Sequence, residues 1–151
     1  MINSYWNRGN LIFFKENILN ACLESFGNRA QYIELIFSSS KYDEIRLSLQ
    51  CNIFKNDSKV DYIVNQLKSY SKDIYKLAYF IPLNLKQVKS CIISNNSIIL
   101  EFENLIAIEF KFDQNDFEIG VSFKESHFDT QFITIFLSTL DFPGMVDNDN
   151  S

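Results

Sequence analysis

The sequence predicts an α+β domain: a mostly antiparallel sheet, built from an N-terminal hairpin and a C-terminal four-strand meander, with helices packed on one face. Three observations predict it. Residues 44–54, EIRLSLQCNIF, alternate apolar and polar side chains strictly, the period of a half-buried strand. Residues 88–123 hold four short apolar segments separated by turn residues. Apolar residues recur at helical spacing near both ends of the chain. At 151 residues, with no repeat and no linker, the expectation is one domain over 1–142 and a disordered tail over 143–151.

From Asn10 to Phe26, the series Phe14, Ile18, Cys22 and Phe26 predicts an amphipathic helix, capped by Asn10 and ended by a left-handed Gly27. QYIELIF (31–37) reads as a strand, SSSKYD (38–43) as a turn, and EIRLSLQCNIF as the second strand of a hairpin. Asp57 or Ser58 can cap a helix to about Tyr70, with Val60, Ile63, Val64 and Leu67 on one face. For 72–82 the pattern suits a helical start turning into a strand that ends at Pro82. VKSCIIS, IILEFE, LIAIEFKF and DFEIGVSF follow as four strands, the first two joined through Asn95-Asn96, which tolerates positive φ. A helix from about Asp129, striped by Phe132, Ile133, Phe136 and Leu140, ends at Phe142-Pro143.

Register then decides where the charges point. With Phe102 opposite Ile106, Leu100 faces Ile108 and Ile98 faces Phe110. Continued through DQND, Phe112 faces Phe117, Phe110 faces Ile119, Ile108 faces Val121 and Ile106 faces Phe123. The opposite face then shows Ile99, Glu101, Ala107, Glu109, Lys111, Glu118, Gly120 and Ser122, so three glutamates sit on three neighbouring strands. Charge along the chain sharpens this: residues 1–100 carry 12 Lys and Arg against 8 Asp and Glu, residues 101–151 carry 2 against 11. Like charges on adjacent strands oppose folding, so an acidic face of this kind suits a basic partner. Glu101, Glu109 and Glu118, with Asp113 and Asp116 in the adjoining turn, are the candidate partner-binding residues. A solvated sheet surface would use the same residues.

Other functions find less support. His127 is the sole histidine, so no two-histidine metal site and no HExxH exist. Four glycines, at 9, 27, 120 and 144, cannot assemble a phosphate-cradling loop. No nucleophile–base arrangement is visible, and the expectation is a non-catalytic protein with no cofactor and no metal. A pI near 4.8 opposes direct nucleic-acid binding. No apolar run approaches the roughly 20 residues of a membrane span, and Leu11 to Phe14 is too short for a signal-peptide core. Cys22, Cys51 and Cys91 are odd in number and far apart, and they read as reduced, buried thiols of a cytoplasmic protein.

EFEN (101–104), IEFKFDQNDFEIG (108–120) and the basic-to-acidic asymmetry, in a small α+β chain, resemble the immunity proteins of bacterial toxin–immunity pairs of the contact-dependent growth inhibition type. The resemblance is one of size, charge and architecture. It implies a cytoplasmic binding protein that neutralises a cognate basic toxin, a nuclease domain above all, by occupying the surface that would hold phosphates. Type III secretion chaperones are similar in size and charge, and that resemblance implies instead a homodimer binding an effector segment.

Overall fold

The computed structural model describes residues 7–29, 32–50, 52–55, 74–94, 97–111, 118–128 and 132–138. It begins with α1 (Asn7–Ile18), followed by strands β1 (Cys22–Arg29), β2 (Tyr32–Ser38), β3 (Glu44–Gln50) and β4 (Asn52–Lys55). A 3₁₀ helix (Ile74–Leu83) precedes β5 (Val88–Ile93), β6 (Ser97–Phe102), β7 (Ala107–Lys111), β8 (Glu118–Lys124) and β9 (Ile133–Ser138). The strands form two antiparallel sheets, one ordered β1-β2-β3-β8-β9 and the other β4-β7-β6-β5. The molecule is therefore a mostly antiparallel α+β fold. The expected helix at 57–70 and the tail at 143–151 lie outside the described residues.

Alternation builds both sheets around a common core. Ile33, Leu35 and Phe37, Ile45, Leu47 and Leu49, Ile119, Val121 and Phe123, and Ile135 and Leu137 fill it from the five-stranded sheet. Ile53, Val88, Cys91, Ile98, Leu100, Phe102, Ile108 and Phe110 fill it from the other. The rings of Phe37 and Phe102, one from each sheet, stack at 6.4 Å. The predicted strand 44–54 is recovered as two pieces, β3 and β4, that belong to different sheets. Strands that switch sheets in this way make the corners of two-sheet packings.

The β2–β3 hairpin forms as predicted, with Leu35 opposite Leu47. Its turn is closed by Ser39, whose N–H donates to the Tyr42 carbonyl at 2.8 Å and whose hydroxyl accepts from the Tyr42 N–H at 3.1 Å. The β6–β7 register is also as predicted, with Ile98 opposite Phe110 and Leu100 opposite Ile108. Of the β5–β6 turn, Asn95-Asn96 lies outside the described residues, but Ser94 and Ser97 close it from either side at 3.0 Å.

Four expectations are corrected. The first helix ends at Ile18, not Phe26: Asn20 takes the left-handed conformation (φ 67°) that ends it. Cys22 and Phe26 continue the four-residue spacing only by coincidence, and Gly27 sits in β1 opposite Glu34 without a positive φ. Residues 74–83 do not turn into a strand. Leu77, Phe80 and Leu83 recur every third residue, the 3₁₀ period, and the last two are fully buried. The C-terminal element is a strand: Ile133, Ile135 and Leu137 alternate inward and β-branched residues favour the extended chain, while Phe132 and Phe136 stay exposed. Finally, the four-strand meander does not exist, because β8 leaves β7 and pairs with β3 and β9.

Helix α1 buries Leu11, Phe14 and Ile18 and touches β9 of one sheet and β5 of the other. The Asn10 side-chain amide, itself buried, donates to the Phe136 carbonyl at 3.2 Å. The helix thus joins the two sheets instead of lying on one face. Contacts at an edge strand also hinder pairing with another chain.

Cys22 and Cys91 are free thiols, Cys91 buried as expected and Cys22 only half-buried, while Cys51 lies outside the described residues. Burial pushes the Cys91 thiol up to about 12 from an ordinary 9.0, against a smaller downward pull from Lys15. The folded state keeps a proton that the unfolded chain releases above its ordinary value. Cys91 therefore leaves stability unaffected below the ordinary value and erodes it as pH rises from there towards the folded value. Denaturant midpoints of wild type are expected to fall more steeply than those of Cys91→Ala between about pH 8.5 and 10, the range in which a free thiol ionises. Parallel pH profiles would contradict the buried, protonated assignment.

Candidate functional site

The outward positions of β5, β6 and β7 form one continuous face. Core-facing Cys91, Leu100 and Ile108 set the alternation, so Ser90, Ile92, Ile99, Glu101, Ala107 and Glu109 point the other way. Glu101 stands opposite Ala107 and Ile99 opposite Glu109. The two carboxylates are therefore diagonal neighbours on adjacent strands, about 7–8 Å apart at the backbone. Ile92 faces Ile99 and is 52% exposed, which adds an apolar strip beside the acids.

Among the described residues, no ion pair involves Glu101 or Glu109. Lys111, two residues after Glu109 on β7, is exposed. Ser90 lies opposite Glu101, and its hydroxyl is buried without a hydrogen-bond partner. The surface thus offers two unpaired carboxylates, a small residue between them and a partly apolar flank.

The predicted site is only partly assembled. Glu101 and Glu109 share this face, as expected. Glu118 does not: its backbone lies on β8 of the other sheet, between Gln50 and Ser138. The expected pairs of β7 with β8, Phe110 with Ile119 and Ile108 with Val121, are replaced by Leu49 with Ile119 and Leu47 with Val121. Asp113 and Asp116 lie outside the described residues. The acidic ladder across three neighbouring strands is therefore corrected to a pair on two.

The five-stranded sheet carries a different charge arrangement that the sequence reading did not single out. Arg46 on β3 donates through Nη1 to Glu34 at 3.1 Å and through Nη2 to Glu44 at 2.9 Å. Burial works against its charge, but the bonds and charges of Glu44 and Glu34 outweigh that, and its affinity for the proton is raised. Glu34 is 5% exposed, the one buried carboxylate among the described residues. Its sequence signal was an acid inside the apolar run YIELIF, with an arginine on the neighbouring strand.

Beside this network a groove of about 280 Å³ is lined by Glu44, Arg46, Ser122, Lys124 and Phe132. With the guanidinium held by two carboxylates, and the Ser122 hydroxyl 3.4 Å from that of Thr134, the groove shows no nucleophile–base pair among the described residues. The His127 backbone N–H donates to Asp43 at 3.2 Å, fixing the turn after β8, and the residue is exposed. Among the described residues, no group of three or more His, Cys, Asp and Glu could hold a metal ion. None of their helices is long and apolar enough to cross a membrane.

Compared with models of protein families, with curated proteins and with solved structures, the chain matches none.

Proposed function

We propose that this chain is a non-catalytic, acidic binding protein that neutralises a cognate basic toxin domain, a nuclease above all, in the cytoplasm. The observation that carries the reading is Glu101 and Glu109 on the outer face of β6 and β7, separated by Ala107 and Ile99 and without an ion pair among the described residues. Two carboxylates on adjacent strands with no cation between them among the described residues oppose folding, and a cationic partner removes that cost. Small Ala107 lets a lysine or arginine of the partner approach both acids. A net charge of −5 draws a basic protein in and speeds encounter. Glu118 belongs to a second, separate acidic position on β8 and has no part in this face.

The test is association kinetics of Glu101→Lys and Glu109→Lys with the basic toxin domain that this reading predicts in the neighbouring reading frame, at low and high salt. Each reversal is expected to slow association at low salt roughly tenfold and to flatten the salt dependence. Wild-type association rates for both variants at both salt levels would overturn the reading.

A further inference from the structure

Two adjoining turns hold leucines in a conformation that leucine disfavours. Leu85 has φ 63° and Leu105 φ 68°, the left-handed region that glycine and asparagine enter readily and a branched side chain does not. Both side chains are largely exposed, Leu85 by 61% and Leu105 by 76%. Ile81, four residues before Leu85, is 53% exposed.

The turns are fastened to each other and to the sheets. The Glu103 N–H donates to the Gln87 carbonyl at 2.9 Å, and the Gln87 N–H donates to the Glu103 carboxylate at 3.0 Å. The Asn104 amide donates to the Pro82 carbonyl at 3.1 Å, and the Leu85 N–H to the Leu23 carbonyl at 2.6 Å. The fold therefore holds two apolar side chains in solvent on rigid, disfavoured backbone. Backbone in such regions clusters where a protein binds, and exposed apolar residues on fixed supports suit anchoring.

We infer that Leu85 and Leu105 are the apolar anchors of the partner interface and insert into an apolar pocket on a basic protein surface. The inference rests on the reading of the chain as a binder of a basic toxin domain and adds where that domain is held. The anchors continue the acidic face, since Glu101 and Glu103 lead into the Leu105 turn. Glu24 and Glu103 both stand close enough to Cys22 to raise its thiol, after burial, so a second acid borders the same end. Of the nearby cations among the described residues, Lys89 is exposed and donates to Gln87 at 2.9 Å and Asn20 at 3.4 Å, and Lys86 follows Leu85 in the chain. A second copy of this chain would bring the same acids together and is disfavoured. The division of labour is the usual one, with apolar anchors slowing dissociation and acids at the rim speeding encounter.

The experiment uses the double variant Leu85→Asn with Leu105→Asn in the full chain, with the toxin domain of the neighbouring reading frame as probe. Asparagine accepts the left-handed backbone, so the thermal midpoint is expected to stay level or rise. Dissociation is expected to quicken roughly 30-fold or more, the scale of an interface hot spot, with association at low salt unchanged. A lowered midpoint would make the leucines structural and overturn the inference. Wild-type dissociation with an intact midpoint would also overturn it, while leaving the acidic-face reading in place. A wild-type chain that does not bind the probe would overturn both. A wild-type dimer in sedimentation that the variant loses would name a second copy as the occupant, against the basic partner.

Discussion

Replacing Phe123 with alanine is expected to lower stability by about 3–5 kcal/mol, the cost of emptying a large buried aromatic site. Phe123 is 1% exposed and ties three parts of the fold together. It stands on β8 opposite Ile45 of β3 and Ile133 of β9. Its ring meets Phe13 of α1 edge-on at 5.0 Å and Tyr42 of the β2–β3 turn at 5.2 Å. Such ring pairs add to the area they bury. The neighbouring Ser122→Ala, on the outward side, should stay within about 0.5 kcal/mol of wild type. Urea midpoints measure both, and equal losses would mean that β8 is turned the wrong way round.

The second large effect is electrostatic. Arg46→Met removes the guanidinium that Glu34 pairs with at 3.1 Å, at an expected cost of about 1–3 kcal/mol or more, the range for taking a hydrogen-bond partner from a buried polar group and larger where that group is charged. The cost comes from the group left behind, not from the lost bond itself. Adding Glu34→Gln to Arg46→Met should therefore recover part of the stability, because a neutral amide tolerates the site better than a carboxylate that has lost a cation. A double-mutant cycle in denaturant reads the coupling directly. Strictly additive losses would show that Arg46 and Glu34 do not act together, and that the 39% exposure of the Arg46 side chain lets water replace it.

What could be read from the chain depended on whether the information was local. The inward set Ile98, Leu100, Ile108 and Phe110 was legible because a hairpin with a short turn leaves one register that buries all four. The partner of β8 was not. Ile119, Val121 and Phe123 have the same alternation whether they face β7 or β3, and period-two patterning assigns a face without naming a neighbour. The choice was made by long-range packing with β3, some seventy residues away in sequence. That is why Glu118 was assigned to the face of Glu101 and Glu109 and is found on the other sheet.

The helix errors have the same root. Phe14, Ile18, Cys22 and Phe26 fit a four-residue period, but the carbonyls beyond Ile18 are taken up by sheet pairing with β2 and with the segment before β5. Ile133 to Phe136 fits one turn of helix and also a strand, and the tie resolves in favour of pairing with β8. The exposed leucines left no local signal at all. Neither Leu85 nor Leu105 is a residue that announces a left-handed turn.

The central claim, that the partner sits on the outer face of β5, β6 and β7, is tested most directly by blocking that face sterically. Ala107 and Ser122 are both small, outward-facing, half-buried residues on strands, one on each sheet. Ala107→Trp and Ser122→Trp are to be compared for binding of the toxin domain by surface plasmon resonance, with thermal midpoints measured alongside. The account expects Ala107→Trp to weaken binding roughly 100-fold, about 2.7 kcal/mol, with its fold intact, and Ser122→Trp to bind like wild type. The reverse pattern, with Ser122→Trp losing the partner and Ala107→Trp keeping it, would contradict the claim and move the interface to the five-stranded sheet.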